Sequence, residues 1–269
     1  MIKTILITGG TDGIGKLAAR KLVRDGHQVY IHGRNEAKLR AVVAELRTAS
    51  DTAQVDGFVA DFSDLDAVRA MAERVREQLP RLDVLINNAG VYKTNSATTE
   101  DGLDARFVVN FLAPYLLTQE LLPLLEAGRR PRVINLSSAA QAPVSLPALA
   151  GETRLDTQAA YAQSKLALTA WSRYLAETTP KVTVIAVNPG SLLNTRMVRE
   201  GFGFHQAPAD KGADILYDLA TAEIHDDASG RYFDNDIGRF GKAHPAVHDV
   251  ESTLALIEQT DDMIDALLT

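Results

Sequence analysis

Apolar positions along the chain fall into short continuous runs that alternate with longer periodic stretches. "KTILIT" (3–8) and "HQVYIHG" (27–33) are β-branched runs. Between them, residues 14–24 place Leu17, Ala18, Leu22 and Val23 at helical spacing. The alternation continues: helix "EAKLRAVVAELR" leads to strand "VDGFVA", and helix "LDAVRAMAERVREQL" to strand "LDVLINN". A long helix over about 101–125 precedes strand "RVINLSS". A helix carrying Tyr161 precedes "KVTVIAVNPG", and helix "DKGADILYDLAT" precedes a last strand near "GRYF".

Such alternation predicts right-handed βαβ units and a parallel sheet covered by helices on both faces. The strands are apolar almost throughout, as burial on both faces requires. No repeat, linker or low-complexity stretch divides the chain, so one doubly wound α/β domain over residues 1–269 is expected. Ligands of such folds bind beyond the carboxyl ends of the strands.

Composition narrows the function classes. Hydrophobic residues at 46% and charged residues at 23% are ordinary globular values. A net charge of −7 argues against a nucleic-acid partner, and the one basic cluster, "GRRPR", reads as a solvated connection between a helix and a strand. Without cysteine there is no disulfide or thiolate chemistry. The opening "MIKTILITGG" is strand-like from its second residue, so a cytoplasmic protein without a membrane partner is expected.

Two stretches carry chemistry. "TGGTDGIG" (8–15) falls at the turn from the first strand into the first helix. Gly9, Gly13 and Gly15 can adopt positive φ and admit a close approach, and the helix points its free amides into the same space. A tight βα turn without a ligand would also use glycine; the place in a parallel sheet favours a dinucleotide site. "YAQSK" (161–165) sets Tyr161 one helical turn before Lys165, on one face. A nearby ammonium stabilises phenolate, so Tyr161 is expected below its ordinary pKa of about 10.

With "NNAG" (87–90) after the fourth strand, these motifs resemble the short-chain dehydrogenase/reductase family, whose loop pattern is TGxxxGxG. The resemblance runs from Ile2 to Gly190 and more loosely to Phe233. It implies a Rossmann-type fold and an NAD(P)(H)-dependent oxidoreductase interconverting a carbonyl and an alcohol. By the same resemblance, Tyr161 is the catalytic acid/base and Lys165 tunes it while bonding the nicotinamide ribose. Ser138, the second serine of "NLSS", holds the substrate oxygen, and Asn110 in "RFVVNFLAPY" binds a water in a relay to Lys165. Tyrosine needs a nearby cation to work near neutral pH, and a serine hydroxyl can both donate and accept.

The resemblance also maps the cofactor. Gly9, Thr11, Asp12, Gly13, Ile14 and Gly15 would form the phosphate loop, Asp61 would bind the adenine, and Phe62, Asn88, Ala89 and Gly90 would also line the cofactor site. Pro189 and Gly190 would bound the nicotinamide, with Thr195 meeting its carboxamide or the pyrophosphate. Where an acidic residue would accept from the ribose 2′-hydroxyl, "YIHGRN" has Gly33 and then Arg34. A guanidinium suits a phosphate, which favours NADP(H) over NAD(H), with Asp12 a counter-signal. Asp61 reads equally well as a helix N-cap.

The spacing from Ser138 to Tyr161 exceeds that of the shortest members, and the extra "APVSLPALAGETRLDTQ" resembles the retinol-dehydrogenase-like and WW-domain-oxidoreductase-like branch. Family members often pair through the long helix before Pro123 and the Tyr161 helix, which implies a homodimer or homotetramer, with the longer loop as the feature set against it. Residues 191–210 are expected to form a substrate lid, in which Leu192, Leu193, Met197, Phe202 and Phe204 favour an apolar carbonyl or alcohol. His244 and His248 have an i, i+4 spacing, but Pro245 argues against a helix there, and no metal is expected. Two other readings stay open: a nucleotide-sugar epimerase or dehydratase, which needs a larger C-terminal domain, and a cofactor-sensing regulator, which usually lacks the tyrosine or the lysine.

Overall fold

The computed structural model describes residues 1–50 and 53–268. Five strands follow the apolar runs: β1 (Thr4–Ile7), β2 (Gln28–Gly33), β3 (Gln54–Val59), β4 (Val84–Asn87) and β5 (Arg132–Leu136). With β6 (Thr183–Asn188), β7 (Tyr232–Asp234) and β8 (Arg239–Gly241) they form one sheet, ordered β3-β2-β1-β4-β5-β6-β7-β8. Pairing is parallel up to β7; β8 returns antiparallel as a hairpin beyond the last predicted strand.

Alternate residues of each central strand feed opposite layers, as the two-residue side-chain period dictates. Leu6, Leu85, Val133 and Val184 face one apolar core, while Ile5, Ile7, Val84, Ile86, Ile134 and Ile185 face the other. The second layer is covered by α1 (Gly13–Arg24), α2 (Glu36–Arg47) and, later in the chain, the helix Asp210–Thr221. The first is covered by α3 (Leu65–Gln78) and by a helix running from α4 (Ala105–Phe107) through a π turn (Val108–Leu112) into α5 (Ala113–Glu126). After the single turn α6 (Leu146–Leu149), α7 (Thr157–Thr178) completes this side. The run Ala105–Glu126 is long and apolar enough to cross a membrane, but it is the core helix here, with most of its length buried.

The chain continues through α8 (Arg196–Phe202), α9 (Asp210–Thr221) and α10 (Val250–Leu267). The periodic reading ends before α10, which lays Leu256, Ile257 and Ile264 onto the first core. Its Asp261 accepts a hydrogen bond from Tyr115 of α5 at 2.5 Å, and the Leu268 carbonyl accepts one from Arg69 of α3 at 2.8 Å. Here α10 rests on α7 and α5, the two helices that family resemblance assigns to subunit pairing, so a part of the chain other than the long loop occupies that side.

Candidate active site

The carboxyl ends of β1 and β4 are stitched together by Thr8. Its hydroxyl accepts from the amides of Asn88 and Ala89, both at 3.0 Å. In return, Asn88 Nδ2 donates to the carbonyls of Thr8 (2.8 Å) and Gly9 (3.1 Å). The Asn88 side chain is therefore spent on the protein, holding the glycine loop in place. Gly9 and Gly13 have φ of +65° and +50°, as expected. Gly15 does not; it lies inside α1, and glycine is required there because a Cβ would stand 2.4 Å from Asn88 Nδ2 and 2.6 Å from the Gly9 carbonyl. Ile14 packs against Gly212 of α9 rather than facing outward: a Cβ on Gly212 would meet its Cγ2 at 2.5 Å.

His32, on β2, ties this loop to the end of β3. It is buried and stacks on Phe62 with ring centroids 4.0 Å apart. Its Nδ1 accepts from the Gly9 amide at 3.2 Å, which leaves Nε2 to donate to the Ala60 carbonyl at 2.9 Å. Burial pushes its pKa down to about 4, so the ring is neutral and this tautomer is held. Phe62, expected at the cofactor, has its ring buried against His32 and offers a ligand only main chain. Asp61 is exposed and accepts from Ser63 N and Oγ at 3.0 and 2.8 Å; the cap of α3 is Asp64, not Asp61.

Arg34 follows Gly33 and is exposed, with no ion-pair partner among the described residues. Thr11 packs against Gly33, where a Cβ would meet its Cγ2 at 2.4 Å. Asp12 caps α1 by accepting from Gly13 N at 2.8 Å, and it pairs with Lys38 at 2.7 Å. The Lys38 bond lowers the Asp12 pKa, against a smaller opposing effect of burial. The counter-signal at Asp12 is thus answered by a cation that sequence reading did not single out.

At the other end, α7 presents Tyr161 and Lys165 together. The lysine is buried, its Nζ donates to the Leu136 carbonyl at 2.7 Å, and it lies 5.7 Å from the centre of the Tyr161 ring. Desolvation pulls its pKa down to about 8. The phenol departs from expectation: its pKa is raised by removal from water, partly offset by a bond to the Ser138 hydroxyl and reinforced by Tyr92. The ammonium turns to Leu136 and leaves the burial effect dominant, so the free chain holds Tyr161 protonated.

Ser138 Oγ also accepts from Ala140 N at 3.1 Å, and its carbonyl accepts from Tyr232 Oη at 3.1 Å. Asn110 sits in the π turn. Its Oδ1 accepts from Val91 N at 2.8 Å, and its Nδ2 donates to the Val91 carbonyl and to Ser164 Oγ, both at 3.0 Å. A π turn within an α-helix is frequent at functional sites. Gly90 lies between these groups: a Cβ there would be 3.3 Å from Asn110 Oδ1 and 3.5 Å from Lys165 Nζ. The four residues assigned to the reaction are thus gathered at one place, beside the glycine of "NNAG".

Residues 188–195 form the remaining wall. Gly190 has φ +120° and Leu192 φ +50°, a left-handed backbone unusual for leucine. Asp236, in the β7–β8 turn, accepts from Ser191 N (2.8 Å), Ser191 Oγ (2.5 Å) and Asn188 Nδ2 (2.9 Å). Asn235 Nδ2 donates to the Pro189 carbonyl at 2.8 Å. Thr195 caps α8, accepting from Val198 N at 3.3 Å, and its Cγ2 faces Gly13, 3.6 Å from where a Cβ would be. Within 191–210, Leu193 is buried while Phe202 and Phe204 are about half exposed. Phe202 stacks on Tyr92 (centroids 5.0 Å), and Tyr92 meets Tyr161 edge-on at 5.1 Å.

His32, Lys38, Tyr92 and Asp236 all escape the motif reading, since each acts through contacts distant in sequence. His244 caps one 3₁₀ turn and His248 ends it, and they are separately engaged, with Ala246 N and with Arg173. No group of metal-holding residues occurs among the described residues.

The family model for short chain dehydrogenase matches residues 3–203. Human retinol dehydrogenase 13 is 35% identical, over 86% of this chain and 76% of its own. A Streptomyces sp. (strain C5) protein named as a daunorubicin C-13 ketoreductase is 36% identical, over 86% and 82% respectively. A short chain dehydrogenase of Escherichia coli CFT073, solved with NADPH, is 27% identical with a TM-score of 0.72, covering 87% of this chain and 97% of its own. The glycine loop, the gathered tyrosine, lysine, serine and asparagine, and these likenesses agree: the chain belongs to the short-chain dehydrogenase family, in its retinol-dehydrogenase-like branch.

Proposed function

We propose that the protein interconverts a carbonyl and an alcohol on a small apolar substrate, using NADP(H), with Tyr161 as general acid/base. The observation that carries this reading is one connected group: Asn110 and Lys165 meet at Gly90, Tyr161 lies beside Lys165, and Ser138 bonds the Tyr161 phenol. The loop fits a dinucleotide: at Gly15 a side chain would collide with its own fold, and Thr195 stands across from Gly13. Exposed Arg34 and Lys38 favour a 2′-phosphate, in line with the NADPH-bound relative.

When bound, the nicotinamide supplies or accepts the hydride, and the chain's own residues handle position and protons. Ser138 Oγ orients the substrate oxygen beside the phenol. Tyr161, protonated in the free chain, delivers its proton to that oxygen in the reducing direction. Lys165 holds charge near the phenol and, with a pKa of about 8, exchanges its proton within reach of neutral pH. Asn110 acts here as a strut, fixing the main chain at Val91 immediately after Gly90. Residues 191–210 form the lid. The described residues after Gly190 extend the sheet with β7 and β8 and pack on α7. The relatives' names point to retinol and daunorubicin, both with extended unsaturated skeletons, and an apolar substrate suits the Phe202–Tyr92 wall.

The test is Tyr161→Phe, followed by oxidation of NADPH at 340 nm over a panel of aldehydes and ketones. Turnover should fall by about 10²–10⁴-fold with NADPH affinity preserved. Near wild-type turnover in this variant would overturn the proposal.

A further inference from the structure

The aromatic contacts above Tyr161 deepen the proposed function, on which this inference rests. Tyr92 lies two residues after Gly90, at the mouth of the site, half-buried. One side of its ring meets the Tyr161 ring edge-on, with centroids 5.1 Å apart and planes at 78°. Phe202, at the end of α8, stacks on it at 5.0 Å and 27°. Gly201 permits the stack: a Cβ there would reach Tyr92 Cδ1 at 3.0 Å. Gly203 ends α8 with φ +77° and open space around it, so the turn that delivers Phe202 is reversed by a glycine.

Phe202 remains 48% exposed, so burial alone does not account for its position. Its partner is the Tyr92 face. A flat π-surface therefore sits on Tyr92, one ring away from the phenol that handles the proton. The polar groups nearby are engaged with one another or with the main chain: the Tyr161 phenol is bonded to the Ser138 hydroxyl, and Asn110 is turned to Val91. Aromatic rings recognise one another through offset stacking as well as through area. A saturated ring of equal size supplies the area without the stack.

We propose that Tyr92 is the specificity-determining residue of this site, selecting planar, conjugated ketones and aldehydes whose π-surface takes the place of Phe202 against its ring. Phe202 then acts as a lid latch that a flat substrate displaces and a saturated one displaces less well. Tyr92 touches substrate but moves no proton, so its hydroxyl is dispensable.

The experiment compares 2-acetylnaphthalene with its saturated counterpart, 2-acetyldecalin, as both ligand and substrate. Dissociation constants are measured by calorimetry on the Tyr161→Phe protein saturated with NADPH; kcat and KM are measured on the active enzyme. In the wild-type background the flat ketone should be favoured by about five- to ten-fold in Kd and KM, with similar kcat. Tyr92→Phe should keep that preference, and Tyr92→Leu should abolish it, with NADPH affinity unchanged in both. Phe202→Leu should weaken the latch and improve binding of the saturated ketone more than that of the flat one. Equal weakening of both ketones by Tyr92→Leu, or an unchanged preference, overturns the proposal. If both ketones bind with the predicted preference but are never reduced, the oxidoreductase reading fails while the role of Tyr92 stands. If the preference is absent but both are reduced, the reverse holds.

Discussion

Lys165 is expected to weaken the fold it serves, and the size of the effect follows from its surroundings. The side chain is buried and its charge is disfavoured by desolvation, which brings its pKa from the ordinary 10.5 to about 8. An ammonium whose folded pKa is depressed destabilises the folded state at any pH below that value. The penalty is relieved as pH rises from about 8 to 10.5, because the unfolded chain then binds the extra proton. At pH 7 the penalty is about 3 kcal/mol, and about 2 kcal/mol of it should disappear between pH 7 and 9.5. The perturbation is Lys165→Met, which keeps the length and apolar stem and removes the titration. It also strips the Leu136 carbonyl of its donor, a loss of about 1–3 kcal/mol that is independent of pH. Absolute stabilities of the two proteins therefore lie close together, and the informative quantity is the pH dependence of their difference. Urea unfolding followed by Trp171, the chain's one tryptophan and fully buried, gives each free energy. From pH 7 to 9.5 the wild type should gain about 2 kcal/mol on the variant, while other titrating groups cancel. Parallel curves would show that the lysine is not desolvated as described, and would remove the physical basis for its tuned proton.

Three further outcomes are expected. Arg34→Asp should weaken NADPH relative to NADH by about 10- to 100-fold, as loss of a charge-assisted bond with added repulsion implies; calorimetric titration of both cofactors checks it. His32, neutral in the folded chain with its pKa near 4, contributes stability that is complete above the ordinary 6.5 and lost as pH falls towards 4. The wild type should lose about 2 kcal/mol relative to His32→Gln between pH 7 and 4.5 in the same unfolding assay. Asp236→Ala should free the 188–191 turn and raise the KM for cofactor several-fold with the melting temperature little changed; Asp236→Asn, which keeps one acceptor oxygen, should recover part of that loss.

What could be read ahead of the structure, and what could not, divides along a physical line. The central strands announce themselves because burial on both faces forces near-continuous apolar runs, and β1 to β6 fall where those runs are. The chemistry at the ends of β1, β4 and β5 is local in sequence, so glycine spacing and the Tyr161–Lys165 pair are visible as short strings. The misses concern side chains whose partners arrive from far along the chain. Tyr92 has no local signature; its meaning comes from Phe202, 110 positions later. Asp236 becomes part of the site only because β7 pairs with β6 and sets the following turn against Ser191. The helix α10 does carry a pattern, with Leu256, Ile257, Thr260 and Ile264 on one buried face, but its docking on α5 rests on the Tyr115–Asp261 bond. The reversal at the Tyr161 phenol has the same origin. Spacing alone places an ammonium one turn away and predicts a lowered pKa, yet direction decides the outcome. Lys165 Nζ points at the Leu136 carbonyl of β5, while the phenol is closed in by Ser138 and Tyr92, so desolvation outweighs a charge that faces elsewhere. A motif fixes which groups are near one another; the packing of the rest of the chain fixes what each does to the other's proton.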